Sequence, residues 1–263
     1  AEIEDFIHGS TIVINALTER KGAKTALITT KGFRDVLEIA RGNRPDLFNI
    51  RYKKPEPFVE RYLRKEVEER LDANGKIVTK LNNAELEQVI EELKAENVEA
   101  IAVVYLHSYL NPVHEIETRN VIQTLWPEVF VTVSHEVTRE WREYERTSST
   151  VLNSYVKPVA STYLNKLSSE LAKMSNSRNY VMQSNGGTTT FEHAKELPIH
   201  MLESGPVAGV YGSAILGNVI GESNIIAFDI GGTTAKCSLI ENGEMKVSTD
   251  YYIEKSSFQA GYP

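Results

Sequence analysis

The sequence predicts an α/β fold in which helices flank mixed sheets. Three observations carry this prediction. Strand-like apolar runs alternate with amphipathic helical segments between residues 83 and 133. Two other segments, around residues 67–81 and 225–240, have the strand–turn–strand pattern of antiparallel hairpins. The 263 residues are 41% hydrophobic and 25% charged, which is the balance of a globular chain long enough for one large or two compact domains.

The first 81 residues predict short elements. Apolar runs indicate a helix or strand at residues 11–17, a buried strand at 23–29 and a helix at 32–39. Further along, Asn74-Gly75 separates two alternating runs. Because this dipeptide readily adopts the positive φ angles of a tight turn, it predicts a β-hairpin over residues 67–81.

Residues 83–133 predict helix and strand in alternation. Asn83 is expected to cap a helix over residues 84–96, because an asparagine side chain accepts a hydrogen bond from a free backbone N–H of the first turn. Buried strands at 100–106 and 129–133 enclose a helix over 112–125. This order implies a parallel sheet with crossover helices.

A long helix is expected over residues 141–174. An apolar stripe recurs every four residues along it, at Val151, Tyr155, Val159, Tyr163, Leu167 and Leu171. The charged residues at its start, Arg142, Glu143, Glu145 and Arg146, are expected to pair on the helix surface. We place a domain boundary after this helix, so that residues 1–175 form most of a first domain with an inserted hairpin and residues 176–263 open a second.

The hairpin at residues 225–240 carries the strongest chemical signal. Its turn reads Asp229-Ile230-Gly231-Gly232-Thr233-Thr234-Ala235-Lys236 between two apolar runs. Adjacent glycines let the backbone approach an anion closely, and the threonines add hydroxyl donors. An aspartate at the end of the first strand can hold a metal-bound water. The segment predicts a phosphate-binding hairpin for a nucleotide; the alternative is a hairpin whose turn needs glycine only to reach positive φ.

Three other segments are candidate parts of a site. The polar loop at residues 184–187 contains two glycines, and Ser204-Gly205-Pro206 opens a helix over 207–216 whose first N–H groups could face an anion. The alternative for the second segment is an ordinary N-cap followed by proline. His135-Glu136 is a candidate acid/base pair, although adjacent side chains point in different directions. His8, His107 and His114 lack metal-ligand spacing, so no structural zinc is expected.

Several of these segments together resemble the hydantoinase A/5-oxoprolinase family. The matching stretches occur in the family's order and cover nearly the whole chain: His8-Gly9-Ser10-Thr11 through Leu17, Lys21 to Ile39, Ser134-His135-Glu136-Val137, Glu140 to Ser148, Met182 to Gly187, Ser204-Gly205-Pro206 and the Asp229 hairpin. The family is similar in fold to the actin, chaperone and sugar-kinase ATPases. The resemblance therefore implies two RNase H-like, actin-like ATPase domains that close over ATP, each with one phosphate hairpin.

The resemblance also implies where this chain lies in the whole protein. The Asp229 hairpin matches the second phosphate loop of such ATPases. The first loop is expected upstream of His8 and the adenosine-binding segment beyond Pro263. We therefore expect the chain to be an internal piece of a two-domain ATPase that is inactive alone.

The resemblance implies ATP and Mg²⁺ as cofactors and assigns roles to residues. The predicted catalytic residues are Asp229, which also orients Mg²⁺ through water, and His135. The predicted phosphate-binding residues are Gly231, Gly232, Thr233, Thr234 and Lys236. Lys236 stands where the family often has aspartate. The residues predicted to line the substrate cleft are Asn185, Gly186, Gly187, Ser204 and Gly205.

The implied reaction is ATP-dependent hydrolysis of a cyclic amide such as a hydantoin or 5-oxoproline. Because nitrogen donation makes an amide a poor electrophile, phosphorylation of the amide oxygen would activate its carbon. One alternative is the ATP-handling subunit of an acetone-carboxylase-type enzyme. A second is a sugar-kinase-like phosphotransferase, for which no aspartate base is identifiable, and a third is a non-enzymatic ATP-gated module.

Composition and the resemblance limit the partners. The formal net charge of −7 disfavours a nucleic-acid partner, and no apolar run is long enough to span a membrane. The single cysteine, Cys237, is expected to be a small buried residue of a strand and is compatible with a reducing cytoplasm. The resemblance implies a HyuB-type partner subunit or domain, a small cyclic amide substrate and an oligomeric assembly.

Overall fold

The computed structural model describes residues 3–42, 48–52, 54, 56–231, 235–246 and 253. The strands are β1 (Asp5–His8), β2 (Thr25–Thr30), β3 (Arg64–Val67), β4 (Arg70–Leu71), β5 (Ile77–Thr79), β6 (Ala100–Val104), β7 (Phe130–Val133), β8 (Arg178–Met182), β9 (Thr188–Thr190), β10 (Ile225–Ile230), β11 (Ala235–Glu241) and β12 (Glu244–Met245). The α-helices are α1 (Ile12–Thr18), α2 (Val36–Ile39), α3 (Asn83–Ala95), α4 (Val113–Leu125), α5 (Ser134–Val137), α6 (Glu143–Met174), α7 (Phe191–Glu196) and α8 (Ser204–Ile220). Short 3-10 helices cover Arg61–Leu63 and Pro198–Met201.

The chain divides into two compact units. One, the hairpin unit, lies within Ala1–Lys21 and Val159–Tyr251; the other, the parallel-sheet unit, lies within Gly22–Pro158 and Tyr252–Pro263. The chain passes from one unit to the other within α6, at Pro158. The domain boundary expected after residue 175 stays a prediction.

A four-stranded sheet of order β3-β2-β6-β7 forms the centre of the parallel-sheet unit. All three pairs of neighbouring strands are parallel. Every residue of β2 and β6 is buried, as expected for central strands that helices cover on both faces. The buried stripe of α3 consists of the four apolar residues expected from the periodicity, Leu86, Val89, Ile90 and Leu93. The predicted parallel sheet with crossover helices is thus confirmed.

Two details of this unit differ from the sequence expectation. The residue that caps α3 is Asn82, whose extended backbone lets its side-chain oxygen accept the Glu85 N–H at 3.2 Å, and Asn83 is already helical. Two adjacent asparagines offer the same chemistry, so the sequence alone did not separate them. The hairpin around Asn74-Gly75 is present but short, because Val67 belongs to β3 and pairs with β2.

The start of α6 is buried rather than exposed at one position. Arg146, expected on the helix surface, is only 1% exposed. Its neighbour Glu145 does pair near the surface, with Arg41 at 2.6 Å. Although α6 has 32 residues, neither it nor any other helix in the described part of the chain has an apolar stretch that could cross a membrane.

The hairpin unit contains two small sheets. In the first, β1 is parallel to β8 and β8 is antiparallel to β9; in the second, β10, β11 and β12 are antiparallel neighbours. Mixed sheets with flanking helices are therefore confirmed. One face of β10 and β11 is apolar and exposed, at Ile226, Phe228, Ile230 and Leu239. Cys237 lies on this face and is exposed too, so the expectation of a buried cysteine is wrong.

Candidate functional site

The predicted phosphate hairpin lies in the hairpin unit as β10 and β11. The pairing places Asp229 directly opposite Lys236 and Ile230 opposite Ala235. Because directly paired residues point to the same face of an antiparallel sheet, the carboxylate and the ammonium share one face. Asp229 and Gly231 are exposed at the end of β10. Gly232, Thr233 and Thr234 lie outside the described residues, so their phosphate-binding role stays a prediction.

The same face of the hairpin contacts α8. Ile225, two pleats before Asp229, packs so closely on α8 that a side-chain carbon at Gly217 would come within 2.2 Å of its Cδ1. At the other end of the contact, Lys236 Nζ forms an ion pair with a carboxylate oxygen of Glu203. Burial lowers the pKa of Lys236. Lys236 thus presents a partly buried cationic group between the open end of the hairpin and the first turn of α8.

Glu203 holds a special backbone conformation. Its φ of 61° is left-handed, which is uncommon for a residue other than glycine, and α8 begins at the next residue. The strained turn directs the Glu203 side chain to Lys236 while the chain enters the helix. Sequence reasoning did not identify Glu203, because nothing local distinguishes it from a surface glutamate.

The start of α8 is bonded to the segment that follows β1. Ser204 is fully buried; its hydroxyl accepts the Ser10 N–H at 3.1 Å and donates to the Ser10 carbonyl at 3.0 Å. The Gly205 N–H donates to the same carbonyl at 3.3 Å. A side chain at Gly9 would come within 3.2 Å of Ala208 and Gly205. Ser204 and Gly205 therefore fasten α8 to the β1 end, and the cleft role expected for them stays untested.

The glycine loop at residues 184–187 is the turn of the β8–β9 hairpin. Asn185 accepts the Gly187 N–H at 2.8 Å through its side chain, and Gly186 has a φ of +83°. A side chain at Gly186 would collide with the ring of Tyr211 on α8. Close packing of this turn on α8 thus requires glycine, while Asn185 and Gly187 are exposed.

His135 lies in the parallel-sheet unit, in the short helix that follows β7. Its Nδ1 is 2.7 Å from Oε2 of Glu115, whereas its Nε2 is 3.9 Å from the Glu136 carboxylate. The sequence paired His135 with Glu136; the hydrogen-bonded partner is Glu115, in the first turn of α4. The two predicted catalytic residues thus belong to different units: Asp229 to the hairpin unit and His135 to the parallel-sheet unit.

A metal site with protein ligands alone is not found in the described part of the chain. No three histidine, cysteine, aspartate or glutamate side chains come together there. Asp229 offers a single exposed carboxylate. Such a donor fits Mg²⁺, which takes one or two protein carboxylates and completes its shell with water and phosphate oxygens.

Comparison with known proteins identifies the family. Residues 1–126 match the profile described as the hydantoinase/oxoprolinase N-terminal region, and residues 146–263 match the profile described as hydantoinase/oxoprolinase. The chain belongs to the hydantoinase/oxoprolinase family. The predicted family is thereby confirmed, from the start of the chain to its end.

Two curated relatives and two solved structures illustrate the similarity. An uncharacterized protein of Methanocaldococcus jannaschii is 44% identical over 191 residues, 72% of this chain and 28% of that protein. Caprolactamase subunit alpha of Pseudomonas jessenii is 31% identical over 255 residues, 95% of this chain and 36% of that protein. The crystal structure of the ATP-dependent caprolactamase from that organism superposes with a TM-score of 0.78 at 30% identity, covering 90% of this chain and 35% of that one. A nucleotide-free acetone carboxylase structure gives a TM-score of 0.82 at 30% identity, and the match covers 92% of this chain and 36% of that one.

These structures confirm the predicted fold class. The chain spans about a third of the length of these two curated relatives, 28% of one and 36% of the other. The caprolactamase relative is named as a subunit of its enzyme.

Proposed function

We propose that the whole protein opens a cyclic amide, such as a lactam, hydantoin or 5-oxoproline, at the expense of ATP. The observation that carries this proposal is the hairpin end, where Asp229 and Lys236 share a face and Glu203 holds the ammonium beside α8. The family membership and the 31% identity to a caprolactamase subunit support the substrate class.

In this proposal the hairpin positions phosphate. Gly231 and Gly232 keep side chains away from the backbone N–H groups, Thr233 and Thr234 add hydroxyl donors, and Lys236 supplies positive charge. Asp229 would hold Mg²⁺ through water, and that ion, when bound, neutralises charge on the phosphate oxygens. Asn185, Gly186 and Gly187, with Ser204 and Gly205, would shape the substrate side of the site. His135 would exchange a proton with the reacting group.

The proposal extends to the assembly. A HyuB-type partner subunit or domain would complete the enzyme, in a cytoplasmic oligomer, as the subunit name of the caprolactamase relative suggests. A second reaction has specific support: the TM-score of 0.82 to an acetone carboxylase favours ATP-dependent carboxylation of a small ketone as the alternative.

The experiment is ATP turnover by the full-length protein with its partner subunit. Phosphate release would be measured with lactams, hydantoins and 5-oxoproline, and separately with small ketones plus bicarbonate. Stimulation by a cyclic amide, together with the ring-opened product, is expected. Stimulation only by ketone and bicarbonate would favour the carboxylase alternative, and no substrate-dependent turnover at all would reject both.

A pair of lysine variants tests the hairpin itself. Lys236→Met removes the cation that faces the hairpin end, and we expect kcat/KM for ATP to fall about 10-fold or more, as for the loss of one charge-assisted contact. Lys246→Met is the matched control: its lysine follows the same hairpin, is 80% exposed and pairs with Glu241 at 2.6 Å. Equal activity of the two variants would contradict the proposed role of Lys236.

A further inference from the structure

A group of buried polar side chains lies at the carboxyl edge of the parallel sheet. Tyr105 follows β6 and Ser134 follows β7, so both stand where these parallel strands end. Glu115 from α4 and Arg146 from α6 complete the group. All four residues are at most 1% exposed. Open α/β sheets bind their ligands outside the carboxyl ends of their strands. The position of this polar group is therefore typical of a functional site.

Glu115 is held by four hydrogen bonds. Its Oε1 accepts the Tyr105 N–H at 3.1 Å and the Ser134 hydroxyl at 2.6 Å; its Oε2 accepts the His135 N–H at 3.0 Å and contacts His135 Nδ1 at 2.7 Å. Burial by itself raises the pKa of Glu115, but the hydrogen bonds from His135 and Ser134 and the nearby Arg146 lower it below its usual value. Glu115 is therefore an ionised carboxylate, and each of its two oxygens accepts two hydrogen bonds.

Arg146 holds the other side of this arrangement. Its Nη1 donates to the Ser134 hydroxyl oxygen and to the Tyr105 carbonyl, each at 2.9 Å, and to Ser108. Ser134 thus accepts from Arg146 and donates to Glu115, which links the cation to the anion through one hydroxyl. Such a chain fixes the orientation of the carboxylate more firmly than a single contact does.

The ionised Glu115 determines the tautomer of His135. A carboxylate without a proton only accepts hydrogen bonds, so Nδ1 of His135 carries the proton between them. In the neutral ring, Nε2 is then the lone-pair nitrogen. Among the described residues, Nε2 makes no hydrogen bond, and its nearest charged neighbour is the Glu136 carboxylate at 3.9 Å. Glu136 is itself engaged by Arg119 at 2.6 Å.

We propose that His135 and Glu115 form a proton-transfer pair, in which Nε2 of His135 exchanges the proton and Glu115 is the positioning residue. In the transfer, an O–H or N–H bond of the reacting group breaks, its proton bonds to Nε2, and the electron pair stays on the oxygen or nitrogen. The negative charge of Glu115 then compensates the positive charge of the His135 ring. In the reverse step, the Nε2–H bond breaks and the proton returns to the oxygen or nitrogen of the reacting group. The identity of the reaction that this pair serves rests on the proposed function. The pair itself is inferred from the hydrogen bonds that join Glu115, Ser134 and His135.

The charged groups around His135 define the test by pH. They are Glu115 and Arg119 from α4, Glu136 from its own helix, and Arg146 from α6 through Ser134. Removing the Glu115 charge removes the anion that stabilises a positive His135 ring. For Glu115→Gln in the full-length enzyme, we expect kcat to fall about 10-fold or more and the acid limb of its pH profile to move to lower pH.

Three further variants distinguish a positioning role from a structural one. Glu136→Gln should move the acid limb less than Glu115→Gln does, because the Glu136 carboxylate is exposed to solvent and paired with Arg119 at 2.6 Å. His114→Gln removes the neighbouring imidazole, which contacts buried Glu69 at 2.7 Å, and should lower stability without moving the limb. Glu115→Asp, which keeps the charge, should restore part of the profile. An acid limb that moves as far with Glu136→Gln or with His114→Gln as it does with Glu115→Gln would overturn the assignment.

A chemical probe tests the pair even if no turnover is found. Diethyl pyrocarbonate acylates unprotonated imidazole nitrogens, and peptide mass spectrometry of the folded full-length protein would locate the adducts. We expect His135 to react at neutral pH in the folded protein, because its Nε2 makes no hydrogen bond among the described residues. A His135 that reacts only after unfolding would overturn the proposal, since a sealed Nε2 exchanges no proton.

Discussion

Glu115 lies fully buried, and a buried carboxylate is tolerated only when hydrogen bonds replace its lost water. Four donors do so here, and Arg146 supplies the compensating charge. Lys236 and Glu203 follow the same rule in the other unit, where each partly buried group has the opposite charge beside it. At the scale of residues, the charged groups proposed to act in the reaction are therefore those with an oppositely charged or hydrogen-bonding partner.

Gly186 permits a residue-scale prediction. Its φ of +83° is left-handed and its α-carbon faces the Tyr211 ring, so Gly186→Ala should lower the free energy of unfolding by about 1–2 kcal/mol or more. Gly209→Ala is the matched control. Gly209 lies within α8 with no atom near its missing side chain, so alanine there should stabilise the helix by about 0.5–1 kcal/mol. Denaturant unfolding of the full-length protein measures both, and equal effects would contradict the packing described for Gly186.

The element scale is set by how helices begin and which face they bury. In α3, the apolar stripe decides which face contacts the sheet, and the cap decides where the helix starts. In α6, the helix places Arg146 inward although Glu143 is exposed and Glu145 is partly exposed in the same turn. Periodicity places a residue on a face of a helix, but only packing decides which parts of that face are covered.

The cap of α3 gives the element-scale prediction. Asn82→Ala removes the acceptor for the Glu85 N–H and should destabilise the protein by about 1 kcal/mol. Asn83→Ala should have a smaller effect, because Asn83 is within the helix and its side chain makes only an exposed bond to Glu117. Urea unfolding midpoints of the two variants decide the comparison. A larger loss for Asn83→Ala would show that the cap lies one residue later.

At the scale of the whole molecule, one face of β10 and β11 combines apolar side chains with exposure to solvent. Ile226, Phe228 and Ile230 are 62–69% exposed, and β10 lies at the edge of its sheet in the described part of the chain. Uncovered apolar faces on edge strands promote association. The relatives, which are about three times as long, have additional chain that could cover such a face.

The corresponding prediction concerns the 263-residue chain expressed by itself. We expect it to self-associate, and the double variant Ile226→Thr and Phe228→Ser to reduce that association, because the introduced side chains are polar. Val78→Thr in β5 is the control: Val78 is 64% exposed and belongs to the other unit. Sedimentation velocity measures the difference. A chain that stays monomeric, or an equal effect of Val78→Thr, would contradict the prediction.

Much of the fold was predictable because its signals are local. The parallel sheet followed from alternating strands and helices, the hairpin from its glycine turn, and the family from motifs in order. Part of the site was not predictable. No sequence motif marks Glu203 or Glu115 as a site residue. The sequence suggested Glu136 as the partner of His135 because the two residues are adjacent in the chain, whereas Glu115 is 20 positions away.

The sequence by itself determined which segments become strands and helices, where glycine is needed, and to which family the chain belongs. Only the tertiary structure decided which side chains meet. Ser204 forms hydrogen bonds with Ser10, which is 194 positions away in the sequence. Glu115 forms a hydrogen bond with His135, which is 20 positions away. The physical reason is that periodicity records the face of one element, whereas contacts arise when the ends of separate strands and helices are packed together.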